Sequence, residues 1–201
     1  MIGNDLVDLS CASKESNWQR SGFLEKLFTK EEQAWINQAQ HKLLAVWLLW
    51  SQKESAYKIV AKLEQRRFFA PKKLLCRTPP VALKKNTPSV FGLVQFKDHH
   101  FTVQSKITND YIHTIAQLET DEASFKADSF FISDPTYQSQ HLAVQKQLIQ
   151  QVAKICNLPP SNLFIQKDKL GIPYLFNKEK KLSTDFSISH HGHYGGFVIK
   201  K

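Results

Sequence analysis

No stretch of this 201-residue sequence stays apolar for the roughly 18 positions that a membrane-spanning helix needs, so no membrane span is expected. The opening residues Met1-Ile2-Gly3-Asn4-Asp5 turn polar and acidic at once, unlike a secretory signal. Cysteine is scarce: Cys11, Cys76 and Cys156 are odd in number, far apart and without a Cys-x-x-Cys pair. That argues against disulfide staples and zinc knuckles, and for free thiols in a reducing cytoplasm. Acidic residues are also short. The formal charge is +9, with the excess concentrated over 62–85 and 167–181. Such a surface attracts nucleic acid, an acidic protein or a phosphate-rich ligand. No nucleic-acid-binding motif accompanies either basic stretch, so nucleic acid is the weakest of the three partners.

What the sequence does contain is a core. With 42% hydrophobic residues, it can form one substantial domain or two half-domains sharing an interior. Residues 2–9 read as a strand holding Asp5 and Asp8, with Asp8 suited to a strand-end cap. Residues 10–22 read as loop or a short helical turn. Thr29-Lys30-Glu31-Glu32 is a capping box that opens a helix to about residue 38, with Ala34, Trp35 and Ala39 turned partly inward. The apolar run 43–49 then continues without glycine or proline into one long buried helix ending near Glu64. Prolines 71, 79, 80 and 88 break any helix beyond Phe68, so 66–85 is expected to be a mobile basic loop.

Strands at 89–96, 100–107 and 111–118 form a meander. The pattern fades over 119–134, where 129–132 reads as a strand. An amphipathic helix over 136–157 turns Leu142, Leu148, Ile149, Val152, Ile155 and Cys156 to one side. A hairpin joins 163–167 to 172–176, and two more strands cover 185–190 and 194–200. The second half thus repeats the plan of the first, and 109–116 faintly echoes 192–199. The expected architecture is α+β with two pseudo-equivalent lobes, 1–118 and 119–201, each a long helix on a small antiparallel sheet.

Chemistry concentrates in Trp50-Ser51-Gln52-Lys53-Glu54-Ser55-Ala56-Tyr57-Lys58. Glu54 and Lys58 lie one turn apart on one helix face. An unpaired carboxylate is costly in a buried helix; the plain alternative is a weak surface ion pair. His190-His191-Gly192-His193 has the look of a metal cluster, with His191 and His193 on one strand face, but lacks a fourth ligand for zinc. Ser55-Ala56-Tyr57-Lys58 matches the Ser-x-x-Lys of penicillin-binding proteins, whose Ser-Asp-Asn and Lys-Thr-Gly partners are missing.

Three segments, Gly3-Asn4-Asp5-Leu6-Val7-Asp8, the Trp50–Lys58 stretch and Phe186-Ser187-Ile188-Ser189-His190, together resemble the signature of the 4'-phosphopantetheinyl transferase superfamily. The resemblance implies transfer of the phosphopantetheine arm of coenzyme A to a serine of a carrier protein, with release of 3',5'-ADP. It implies Mg²⁺ ligands at Asp5 and Glu54, proton removal by Glu54 or a water beside it, and charge neutralisation by Lys58. Ser189 and His190 would bind coenzyme A phosphates, with Lys53 on the nucleotide side. The family's Gly-Lys-Pro reads Gly171-Ile172-Pro173 here, leaving Lys167 and Lys169 as substitutes for its lysine. His191 replaces the usual Ser or Thr after the Ser-His pair. Two carboxylates about 4 Å apart repel by roughly 4 kcal/mol at an effective dielectric of 20, which a divalent cation removes.

The motif order is that of the small trimeric members, whereas the length is that of the two-lobed ones. The expectation is a circular permutation of the two-lobed form, with Met1 beside Lys201 and one site per monomer between the lobes. The implied partner is an acidic acyl, polyketide or peptidyl carrier protein, met by the basic loop 66–85. A non-catalytic module that binds coenzyme A or a carrier is the alternative from another class.

Overall fold

A computed structural model describes residues 1–80 and 83–200. Strand β1 (Ile2–Asp8) runs into helix α1 (Leu9–Glu15). Asp8 caps that helix, its Oδ1 accepting from Ser10 N and Cys11 N. Two short helices follow, α2 (Phe23–Leu27) and α3 (Lys30–Gln38). The capping box at Thr29 is formed in full. Ala34 is exposed, however, and Ile36 and Glu32 turn inward instead.

The long helix α4 (Lys42–Glu64) is the axis of the molecule. Leu44 to Leu49 are buried in succession on every side of it. A helix apolar all round must be enclosed. It packs against β1 and against the sheet formed by β2 (Leu75–Cys76), β3 (Thr87–Phe96), β4 (His99–Ile107) and β5 (Tyr111–Leu118). All pairings are antiparallel, in the order β1-β5-β4-β3-β2.

Strand β6 (Phe125–Phe131) leads to helix α5 (Tyr137–Cys156), capped by Thr136. A small hairpin sheet of β7 (Leu163–Lys167), β8 (Pro173–Asn177) and β9 (Lys180–Lys181) precedes β10 (Phe186–His191) and β11 (Tyr194–Lys200). The last two join β6 in a second antiparallel sheet, β10-β11-β6, on which α5 packs. The result is α+β with two lobes, each a long helix on antiparallel strands.

Three local expectations change. The stretch after Phe68 is anchored: Pro71, Leu74 and Cys76 are buried, and β2 pairs with β3. Residues 81 and 82 of the expected loop lie outside the described residues. Helix α5 turns Gln140, Val144, Leu148 and Val152 inward, four apart, while Leu142 and Ile155 are 58% and 46% exposed. Strand β6 is longer than its sequence implied, because none of its residues is fully buried and it shows no continuous apolar inward face.

The lobes meet where the open edge of β1 faces β10, and no backbone ladder joins these strands among the described residues. Side chains close that edge instead. Ile2 N donates to Asp185 Oδ2 at 2.8 Å, Asn4 N to Ser187 Oγ at 3.1 Å and Asp8 N to His191 Nδ1 at 3.0 Å. These acceptors recur at odd positions, as the two-residue period of an extended segment requires. The Met1 ammonium and Lys200 Nζ both pair with Asp121; Lys201 lies outside the described residues. Among the described residues no helix is long and apolar enough to cross a membrane.

Candidate functional site

Alternation along β1 decides which side chains reach α4. A Cβ at Gly3 would strike the carbonyl oxygen of Ser55, so glycine permits the close approach of strand to helix. Asp5, two residues on, shares that face and lines a cleft with Glu54 and Lys58. Asn4 points the other way. Its Nδ2 donates to Ser189 Oγ at 2.8 Å and contacts His113 Nε2 at 3.0 Å.

The cleft has a volume of about 420 Å³ and also takes in Lys167, Ser189 and His190. Asp5 Oδ2 is buried and has no hydrogen-bonding partner among the described residues. Burial pushes the Asp5 pKa up, against the opposing pull of Lys58. Burial and then the charge of Asp5 raise Glu54 to about 7, again opposed by Lys58. Burial lowers the Lys58 pKa, and Asp5 and Glu54 partly restore it.

Counting ammonium donors separates the lysines of α4. An ammonium has three N–H groups and no acceptor. Lys62 uses all three, on Ile2 O at 2.9 Å, Phe186 O at 2.9 Å and Asp185 Oδ1 at 2.6 Å. Lys58 uses two, on Asn4 O at 2.6 Å and Ile188 O at 3.2 Å. It therefore clamps β1 to β10 and keeps one N–H for the cleft. It makes no ion pair with Glu54, so the surface salt-bridge reading does not hold.

Lys53 is not brought to the cleft. It is 0% exposed and donates to Glu32 Oε2 at 2.8 Å, Pro71 O at 3.0 Å and Leu74 O at 2.6 Å. Its neighbour Glu54 leaves the helix about 100° further round, which accounts for their different surroundings. Of the two substitute lysines, Lys167 lines the cleft and Lys169 is exposed outside it.

Sequence reasoning missed several cleft residues. Arg67, read as part of a loop, lies so close to Gly171 that a Cβ there would strike its guanidinium. His141 enters from α5 and has no motif around it. Lys62 was legible as the next turn after Lys58.

His190 holds Gln140 Oε1 through Nδ1. Burial, then the charges of His141 and Lys58, push its pKa down to about 4. His191 and His193 flank the turn at Gly192 rather than sharing a strand. His191 accepts from Asp8 N, and His193 Nδ1 lies 3.0 Å from Ile132 O. Burial pushes the Asp8 pKa up, but the N–H groups of His193, Cys11 and Ser10 outweigh it and hold the carboxyl below its ordinary value.

Among the described residues no group of three or more His, Cys, Asp or Glu side chains is arranged to hold a metal. What the cleft offers is two carboxylates, one with an unpartnered buried oxygen. That donor set fits Mg²⁺, which takes one or two carboxylates and completes its shell with phosphate oxygens and water. Arg67, Lys167 and the spare N–H of Lys58 surround the same space with cationic donors.

A family model for the 4'-phosphopantetheinyl transferase superfamily matches residues 1–116. A search of curated proteins returned no match.

Proposed function

The chain belongs to the 4'-phosphopantetheinyl transferase superfamily, and from that premise we propose that it moves the phosphopantetheine arm of coenzyme A onto a carrier-protein serine, releasing 3',5'-ADP. Membership carries a phosphopantetheinyl transferase type of function, with coenzyme A and a carrier protein as the family's substrates. The observation that carries the specific reading is the unneutralised pair Asp5 and Glu54 beside a lysine with one uncommitted N–H.

The pyrophosphate of coenzyme A lies against Lys58, Arg67 and Lys167, whose charges match it. Asp5 and Glu54 would hold Mg²⁺, which would supply charge neutralisation at the phosphoryl group under attack. Glu54, or a water beside it, takes the proton of the serine hydroxyl. Ser189 and His190 close the phosphate side of the cleft.

The carrier approaches over 66–74. Arg66, Arg67, Lys72 and Lys73 are exposed there, beside Phe69, which is 65% exposed. A hollow of about 450 Å³ between Trp50, Phe68 and Phe69 opens onto Glu54. Basic charge steers an acidic partner to that side. Reversing Lys72 and Lys73 should raise the KM for carrier more than that for coenzyme A; equal effects would refute this docking side.

The deciding experiment is intact-mass measurement of an apo carrier incubated with the protein, coenzyme A and Mg²⁺. One added phosphopantetheine, abolished by chelator, is the expected result. Tight coenzyme A binding with no transfer to fatty-acid, polyketide or peptide-synthetase carriers would instead identify a binding module.

A further inference from the structure

We propose that the N-terminal part of α5 is a positioning device for His190, in which Gln140 fixes the imidazole tautomer and Tyr137 and His141 hold the ring plane. None of these residues belongs to the three motifs. They stand at i, i+3 and i+4 on one face of the helix.

The argument starts from the far end of Gln140. Its Nε2 donates to Pro135 O at 2.8 Å and to Gly192 O at 2.8 Å. Flipping the amide would lose both bonds and set Oε1 against two carbonyl oxygens. Oε1 therefore faces His190 Nδ1 and, being a carbonyl oxygen, accepts. Nδ1 must carry the proton of that bond. The nitrogen left for a cleft ligand is Nε2.

Gln140 is 8% exposed, so water competes poorly for this bond. The Tyr137 and His141 rings stack on each other at 5.9 Å. Both stand edge-on to His190, with centroids at 5.4 Å and 6.3 Å. Rotation of the imidazole would have to displace them.

The consequence concerns what His190 can do for a phosphate. An ionised phosphate oxygen only accepts, so contact through Nε2 requires the imidazolium form, with Nδ1–H still held by Gln140. The ring arrives oriented, and a ligand need not supply the cost of turning it. This functional consequence rests on the reading of His190 as a phosphate-facing group; the tautomer itself does not.

The test is nitrogen-15 NMR of histidine-labelled full-length protein without ligand, with His190 assigned by the signal lost in His190→Asn. The wild-type protein should show a protonated Nδ1 and a bare Nε2. Gln140→Met should move His190 toward the Nε2–H form. Gln140→Met removes the acceptor that supports the imidazolium and the orientation of the ring, so the KM for coenzyme A should rise roughly 3- to 10-fold, the size of one lost hydrogen bond, with kcat changed less. A wild-type His190 protonated at Nε2, or a tautomer indifferent to Gln140→Met, overturns the proposal. A shifted tautomer with unchanged KM overturns the positioning role. If Gln140→Met does not fold, the wild-type spectrum still decides the tautomer. If the protein transfers nothing to any carrier, that failure falls on the proposed function, because the spectrum is read without substrate.

Discussion

Lys53 and Lys58 leave the same helix and are both withdrawn from bulk water, yet their surroundings differ in kind. Around Lys53 every donor has an acceptor: a carboxylate, Glu32, and two carbonyl oxygens. Glu32 is itself completed by Thr29 N at 2.8 Å and Cys76 N at 2.9 Å. Around Lys58 two donors are committed and one is not, and two carboxylates with raised pKa values share its cleft. Burial of charge therefore does not mark a functional group by itself. A charged group left unmatched where it lines a cleft is the stronger sign.

Substitutions should pull the two sides apart. The largest expected effect is on chemistry: Glu54→Gln should slow carrier modification by roughly 10²- to 10⁴-fold, the usual range for a lost general base. Initial rates from intact-mass time courses would measure it, and a variant within tenfold of the wild type would remove Glu54 from that role. The converse change, Lys53→Met, leaves Glu32 buried without its cation and should cost about 3–5 kcal/mol in urea unfolding. Its activity per folded molecule should stay near wild type; a selective loss of activity would return Lys53 to the site.

Lys58→Met falls between the two. It should lower kcat/KM for coenzyme A by about 10- to 100-fold, as expected for hydrogen bonds to a charged group, and should also loosen the clamp between β1 and β10. A smaller effect has an instructive sign. Glu54 holds its proton more tightly in the folded chain, at about 7 against an ordinary 4.5. As pH rises through that window the unfolded chain ionises first, so native stability is drained and the loss is complete above about 7. Glu54→Gln should therefore melt a few degrees above the wild-type metal-free protein at about pH 8 and level with it at about pH 4. A lower melting temperature at the higher pH would show that the ionised carboxylate is stabilising. Smallest of all, Thr29→Ala should cost about 1 kcal/mol through the lost cap, felt at Glu32 and Lys53 and measurable in urea, with coenzyme A kinetics unchanged.

How far the chain itself announced this arrangement depends on the range of each interaction. Helix α4, the Thr29 capping box, the meander β3-β4-β5 and the strands carrying Asp5 and Ser189 were readable because they rest on local period and capping chemistry. The meeting of Asp5, Glu54, Lys58, Ser189 and His190 was readable through the three motifs. The fate of Lys53 was not, because two of its acceptors are backbone carbonyls at Pro71 and Leu74, and any residue has one. Gln140 was hidden for the same reason: its partners are Pro135 O, Gly192 O and a ring nitrogen. The inward face of α5 was misread because Leu142 and Ile155 are apolar yet exposed.

The seam between β1 and β10 also governs how the chain is made. The bonds that close the edge of β1 reach across 183 positions, so a ribosome emits that strand long before its cover. Until residues 185–191 emerge, the first sheet carries a row of open N–H and C=O groups, the template on which strands of other chains assemble. Contacts of such separation form slowly, and a nascent lobe waiting for them is exposed to aggregation. Expression yield should therefore be more sensitive to changes at Asp185, Ser187 and His191 than their modest share of the interior would suggest.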